Sequence, residues 1–162
     1  MKLKGSCHCQ SVKFSLDSRQ PYPFNRCYCS ICRKTAGGGG FAINLGADFQ
    51  TLKVEGEEYL SIYQAEIGIT GQENGGKSPA RRHFCSRCGS ALWLWDPRWP
   101  ELVHPFASAI DSELPVPPVR SHMMLDSAPG WAQPDIREGD EVFEGYPEES
   151  LAEWHQRNIP SA

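Results

Sequence analysis

The 162-residue chain is 40% hydrophobic and 22% charged, enough apolar content for one compact domain with its own core and too little length for a second of ordinary size. Thirteen prolines and fifteen glycines favour short strands joined by turns over a helix-rich fold, and a formal net charge of -4 offers no general attraction to nucleic-acid phosphates. No run approaches the roughly 18 apolar residues that cross a bilayer, and residues 1–6 carry no apolar signal segment behind their charges, so a cytoplasmic protein without membrane or nucleic-acid partners is expected.

The seven cysteines are too many for chance in a cytosolic chain, and their odd number bars complete pairing as disulfides. All lie in three clusters. The first, Cys7-His8-Cys9, opens an alternating run through Val12, Phe14 and Leu16. Residues two apart on an extended chain share a side, so Cys7 and Cys9 face together and His8 points away. The second, Cys27-Tyr28-Cys29-Ser30-Ile31-Cys32, is followed by four glycines at 37–40. Their backbone entropy bars ordinary helix or strand and predicts a mobile loop, serving either close backbone approach to a ligand or a plain connection.

Residues 41–45, a stretch bearing Leu52 and Val54, and residues 60–63 read as strands, and the polar, glycine-bearing 68–80 as a loop. The third cluster, Cys85-Ser86-Arg87-Cys88-Gly89, reads as a zinc knuckle, in which a tight turn aims both sulfurs at one point and glycine permits positive φ after it. Strands follow at 91–95 and 104–110, with Pro105 suggesting an edge or bulge in the latter. Residues 114–118 form a proline-rich connector, 127–131 a turn, and 148–158 a short helix with Leu151 and Trp154 on one face. Trp93, Trp95, Trp99 and Trp131 read as core bulk ahead of pocket lining.

Two close pairs from distant segments supply a tetrahedron for zinc, so Cys7, Cys9, Cys85 and Cys88 form a closed structural site that staples the first strand to the middle of the chain. Cys27, Cys29 and Cys32 remain. Three thiolates at that spacing hold a metal and leave one position vacant, as in a catalytic site; alternatively His8, His83, His104 or an acidic residue closes a second structural site. Zinc with three thiolates carries net charge -1, which calls for nearby cations. Arg26, Arg33 and Lys34 flank the second cluster and Arg81, Arg82 and Arg87 the third, either as a solvated surface or as a group that neutralises the site and holds an anionic thiol.

The chain resembles the glutathione-dependent formaldehyde-activating enzymes, or S-(hydroxymethyl)glutathione synthases, a family that includes the domain of centromere protein V. The resemblance rests on residues 5–9 with Val12 and Phe14, on 27–34, on 82–90, and downstream on 107–111, His122 and Pro129-Gly130-Trp131. It implies one zinc-stapled domain over 1–162 of twisted antiparallel β-sheets with few short helices, residues 114–162 being a loop-rich part packed on it. It also implies a structural zinc on Cys7, Cys9, Cys85 and Cys88 and a catalytic zinc on Cys27, Cys29 and Cys32. Tyr28 stands where the family commonly has histidine, and Gln10 where it commonly has glycine. Neither departure removes a sulfur.

The expected function is that of a carbon–sulfur lyase-type enzyme adding a small thiol such as glutathione to formaldehyde or another small aldehyde. Cys27, Cys29 and Cys32 would carry the reaction, Arg33 and Lys34 would orient the thiol's carboxylates, and His83 or Tyr28 would relay a proton. The rival is a non-catalytic zinc-stapled module whose second metal shapes a loop for a protein partner.

Overall fold

The polar–apolar alternation of the first seventeen residues dictates a hairpin with one face in the core, and the computed structural model, which describes residues 1–67 and 76–159, contains it. The strands are β1 (Lys2–Ser6), β2 (Lys13–Asp17), β3 (Phe24–Cys27), β4 (Ala42–Asn44), β5 (Ala47–Glu55), β6 (Leu60–Tyr63), β7 (Glu66–Ile67), β8 (Gly76–Lys77), β9 (Arg81–Cys85), β10 (Ala91–Trp95), β11 (Leu102–Pro105), β12 (Arg120–Met123) and β13 (Glu141–Val142). Two helices, α1 (Ser30–Ala36) and α2 (Leu151–Asn158), complete the regular structure together with three single 3₁₀ turns. The fold is mainly β with few short helices, and no helix of the described residues is long and apolar enough to cross a membrane.

Seven strands form an antiparallel sheet in the order β1-β2-β5-β11-β10-β9-β6. A four-stranded sheet has the order β13-β12-β3-β4, in which β12 runs parallel to both β3 and β13 while β4 is antiparallel to β3. β7 and β8 pair separately. Bridges from Gly5 to Ile110 and from Asn44 to Phe106 tie the segments that lead from one main sheet to the other. Gly5 is required there, because a Cβ would lie 2.3 Å from the Ala109 carbonyl oxygen and 2.4 Å from Phe14 Cζ.

The main core gathers Leu3, Val12, Phe14, Leu16, Leu92 and Trp93, with Phe14 edge-on to the Trp93 ring at 5.1 Å. Each fully buried leucine stabilises the fold by about 1.5–3 kcal/mol. A smaller core joins Ala42, Phe106 and Met123 to Cys27 and Cys32. Trp93 is core as expected, but Trp99 and Trp131 are exposed, so tryptophan size alone did not decide burial.

The strands expected at 60–63 and 91–95 have those bounds, and that at 41–45 is shortened to Ala42–Asn44. The strand expected over 104–110 instead starts at Leu102 and stops at Pro105. Phe106 hydrogen-bonds the Leu92 carbonyl, and the chain then coils into the 3₁₀ turn at Ala107–Ala109. Pro105 is therefore neither at a sheet edge nor in a bulge. It ends an interior strand, where its missing N–H breaks no further ladder. Residues 37–40 form a turn in which Gly40 N–H meets the Gly37 carbonyl, and Gly40 has φ +93°. Of the loop expected over 68–80, residues 68–75 lie outside the described residues.

A buried ionic chain fastens residues 120–141 to the small sheet. Arg120, on β12, meets Asp140 through its Nε at 2.9 Å and through Nη2, and both side chains are about 94% shielded from water. Asp140 also accepts from His122 Nε2 at 3.2 Å, and His122 Nδ1 lies 3.1 Å from the Tyr28 hydroxyl. Burial lowers the His122 pKa, so the ring is neutral; its Nε2–H donates to Asp140 and its Nδ1 accepts from Tyr28. Helix α2 is held by a Ser150–Glu153 capping box and by Trp154 Nε1 donating to Glu141 at 2.9 Å.

The Arg120 guanidinium holds the Asp140 carboxyl well below the usual carboxylate range. A depressed folded-state value stabilises the fold above the unfolded pKa of about 3.9 and loses that contribution as pH falls toward the folded value. Asp140→Asn is expected to cost about 3 kcal/mol at pH 7 in urea titrations, since it leaves a buried guanidinium with only the exposed Asp135 as its ion partner, and the gap from wild type should narrow below about pH 4. A gap under about 1 kcal/mol at pH 7, or one unchanged down to pH 3, contradicts this account.

Candidate metal centres

Two chain reversals build the first sulfur set. Cys7 follows β1, and its N–H bonds the Val12 carbonyl at 3.0 Å while Val12 N–H points at Cys7 Sγ at 3.2 Å. Cys85 ends β9, and its N–H bonds the Ser90 carbonyl at 3.0 Å, with Gly89 N–H returning to the Cys85 carbonyl at 2.8 Å. Each reversal contains one left-handed residue after its second cysteine, Gln10 at φ 63° and Gly89 at φ 75°. Gln10 thus holds a conformation that glycine adopts without strain, while its side chain donates to Ser6 Oγ at 2.9 Å. The two tips are laced together by His8 N–H to Ser90 Oγ at 3.1 Å and by Arg87 Nη1 to Ser11 Oγ at 3.0 Å.

The lacing brings Cys7, Cys9, Cys85 and Cys88 together, with all four sulfurs within 4.8 Å of one another. Cys7 and Cys9 are 3.5 Å apart, and Cys9 and Cys85 3.8 Å. A tetrahedral centre with metal–sulfur bonds of about 2.3 Å has edges of about 3.8 Å, so the set fits a four-thiolate metal centre. Hydrogen bonds from the Ser90 hydroxyl and backbone pull the Cys88 thiol down to about 5, and burial pushes Cys85 up to about 11.

The second set sits where β3 passes into α1. Cys27 ends the strand, Cys29 caps the helix and accepts from Cys32 N–H at 3.3 Å, and Cys32 lies in the first turn. Their three sulfurs also lie within 4.8 Å of one another. Cys27 and Cys32 are buried and Cys29 is partly exposed. Hydrogen bonds from the Cys27 and Cys32 thiols and from backbone N–H groups lower the Cys29 pKa, whereas hydrogen bonding with Cys29 and Cys32, together with burial, raises that of Cys27. Three crowded thiols thus accommodate a single negative charge, and full deprotonation needs a cation among them. A soft, all-sulfur donor set suits zinc or another thiophilic metal.

Among the described residues, no histidine nitrogen or carboxylate oxygen joins either set. The four-plus-three division read from spacing is therefore the spatial one. His8 is exposed, and His104 Nδ1 lies 3.1 Å from the Leu45 carbonyl oxygen. His83 stacks on Trp93 with ring centroids 5.0 Å apart, on the main-core side. Its strand neighbour Arg82 reaches the second sulfur set instead, since successive residues of a strand face opposite ways. The Tyr28 hydroxyl is engaged by His122, and Tyr28 is 1% exposed. Neither proton-relay candidate is thus aimed at the second set: Tyr28 is committed to a buried chain and His83 to the core. On α1, Arg33 is half-buried and Lys34 exposed. A cleft of 460 Å³ opens beside the first set, lined by Ser6, His8, Gln10, Thr35, Ser90 and Asp111 among others.

Sequence reading counted Arg82 among the basic residues able to neutralise the site but could not single it out, placing it beside the knuckle three residues away, because nothing in spacing reveals that β9 carries one residue toward each set. It missed Asp140 and Arg120, whose partners are remote along the chain.

Comparison with known proteins agrees with the geometry. Residues 2–125 match the family described as glutathione-dependent formaldehyde-activating enzyme. A Halomonas elongata protein named "Putative glutathione-dependent formaldehyde-activating enzyme" is 65% identical over 158 residues, covering 97% of this chain and 96% of that protein. A Rhodobacter sphaeroides protein of known crystal structure superposes with a TM-score of 0.52 at 28% identity, covering 69% of this chain and 91% of that one. Matched by the family over residues 2–125 and by a relative along nearly its whole length, the chain belongs to the glutathione-dependent formaldehyde-activating enzyme family.

Proposed function

We propose that this protein is a carbon–sulfur lyase-type enzyme that adds a small thiol, glutathione or a close analogue, to formaldehyde or another small aldehyde. The observation that carries the reading is a set of three converging sulfurs, Cys27, Cys29 and Cys32, that no fourth protein ligand completes among the described residues. The family and the relative's name support the thiol and the aldehyde. We assign one zinc to Cys7, Cys9, Cys85 and Cys88 as a structural staple and a second to Cys27, Cys29 and Cys32, with residues 1–162 acting as one zinc-binding unit on which 114–162 pack.

A zinc held by three thiolates favours the thiolate over the thiol form of a fourth sulfur and is a weak activator of carbonyl groups. The chain's own residues do the rest. Partly exposed Cys29 marks the approach side, while Cys27 and Cys32 are shielded by Phe106 and Met123 from the smaller core, which keeps the far side dry. We assign to Arg33 and Lys34, on the helix that carries Cys32, the orientation of the thiol's carboxylates, and to the cleft that Thr35 and Ala36 line at the end of the same helix the peptide body of a glutathione-sized thiol. The thiol sulfur bonds to the aldehyde carbon and the thiol proton ends on the former carbonyl oxygen. An S–H bond and a C=O π bond are exchanged for C–S and O–H bonds, so no oxidant or reductant is needed.

Cys29→Ser is expected to lower thiol-dependent formaldehyde consumption at least 100-fold while leaving the thermal transition cooperative. Equal activity in both proteins rejects the catalytic assignment, and a cobalt-loaded protein whose spectrum no thiol perturbs points to the non-catalytic module. Cys88→Ser should instead cost folding: chelator-induced unfolding and the loss of a cooperative melt are expected. A soluble, cooperatively melting Cys88→Ser protein within about 1 kcal/mol of wild type contradicts the staple.

A further inference from the structure

Arg82 is 8% exposed, and its Nη2 lies 3.9 Å from Cys32 Sγ, the one polar partner it has among the described residues. Its Nε and Nη1 are buried without a hydrogen-bond partner, and no carboxylate among the described residues forms an ion pair with it. A guanidinium stays protonated in proteins, so burying one unpaired is costly and calls for a counter-charge at close range. The other basic residues beside the second cluster do not take this place. Arg26 lies over the Phe41 ring at 5.0 Å, its neighbour Cys27 facing the opposite way on β3; Arg33 is half-buried, and although its Nε is shielded too, its guanidinium makes no hydrogen bond to a sulfur of the set among the described residues; Lys34 is exposed.

We propose that Arg82 is the counter-ion of the Cys27–Cys29–Cys32 centre and a positioning residue that admits an anionic fourth ligand there. A divalent ion held by three thiolates has net charge -1, which one guanidinium cancels. A fourth thiolate brings the centre to -2, and Arg82 leaves only a single charge to be borne in a buried place. A neutral ligand adds no charge and needs no such help. This inference rests on the vacant fourth position assigned above and adds the source of its preference for thiolate.

The test loads cobalt(II) into wild type, Arg82→Met and Arg82→Lys and follows the visible spectrum during titration with 2-mercaptoethanol, whose charge on binding is the thiolate alone, and with imidazole, which is neutral. Arg82→Met is expected to weaken the thiol at least tenfold and imidazole less than threefold, and Arg82→Lys to restore thiol affinity to within threefold of wild type. Thiol affinity unchanged in Arg82→Met, or imidazole weakened as much as the thiol, overturns the proposal. Should Arg82→Met lack a cooperative melt, Arg82→Gln takes the same titrations under the same criteria. A wild-type spectrum that responds to neither ligand defeats the vacant position and not the pairing. Chelator competition then decides: second-site cobalt lost at least tenfold more readily from Arg82→Met supports it, and equal retention overturns it.

Discussion

Crowded sulfur is the constraint on which this molecule turns. Seven free thiols are drawn into two groups, and within each group every sulfur lies inside 4.8 Å of the others. Thiolates at that separation repel strongly in a poorly solvated place, so the groups are at ease either protonated or wrapped around a cation. The backbone spends its tightest turns on arranging them, including the left-handed residues Gln10 and Gly89 and the helix cap at Cys29.

The two groups differ in how the chain encloses them. The four-sulfur set is made by two hairpin-like tips from opposite ends of the large sheet, so closing it joins β1 to β9 across more than seventy residues of chain. That is a fastening. The three-sulfur set is made locally, within six residues at a strand-to-helix junction, and contributes little to long-range closure. Its sulfurs are instead surrounded by partners that regulate charge and access: a small apolar core behind Cys27 and Cys32, a guanidinium from β9, and a partly open side at Cys29. β9 serves both sets, ending in Cys85 of one while Arg82 touches the other, so their geometries are mechanically linked through one short strand.

The small sheet brings the last residues of the family match to the second sulfur set, and Asp140 beyond the match supports them. β12 lies parallel to β3 with Met123 opposite Cys27, so the strand that presents the first sulfur of the three is gripped by a segment some hundred residues later. That grip is reinforced from outside by the Tyr28–His122–Asp140–Arg120 chain. The hydroxyl of Tyr28 is turned toward His122, away from the role of proton carrier, and its ring packs on Phe41 at 5.2 Å.

Cysteine spacing made both sulfur groups readable in one dimension, because a metal-sized cluster needs close pairs on tight turns and such pairs leave a local signature. Alternation did the same for β2, where burial switches from residue to residue, and runs of apolar and aromatic residues did so for 60–63 and 91–95. The parallel pairing of β12 with β3, the turn of the chain at Phe106 and the aim of Arg82 left no such signature. Each depends on which remote segment lies across from it: Leu92 opposite Phe106, Cys27 opposite Met123, Cys32 beside Arg82. Local composition encodes which atoms are capable of chemistry, and the packing of distant segments sets which charges those atoms finally face.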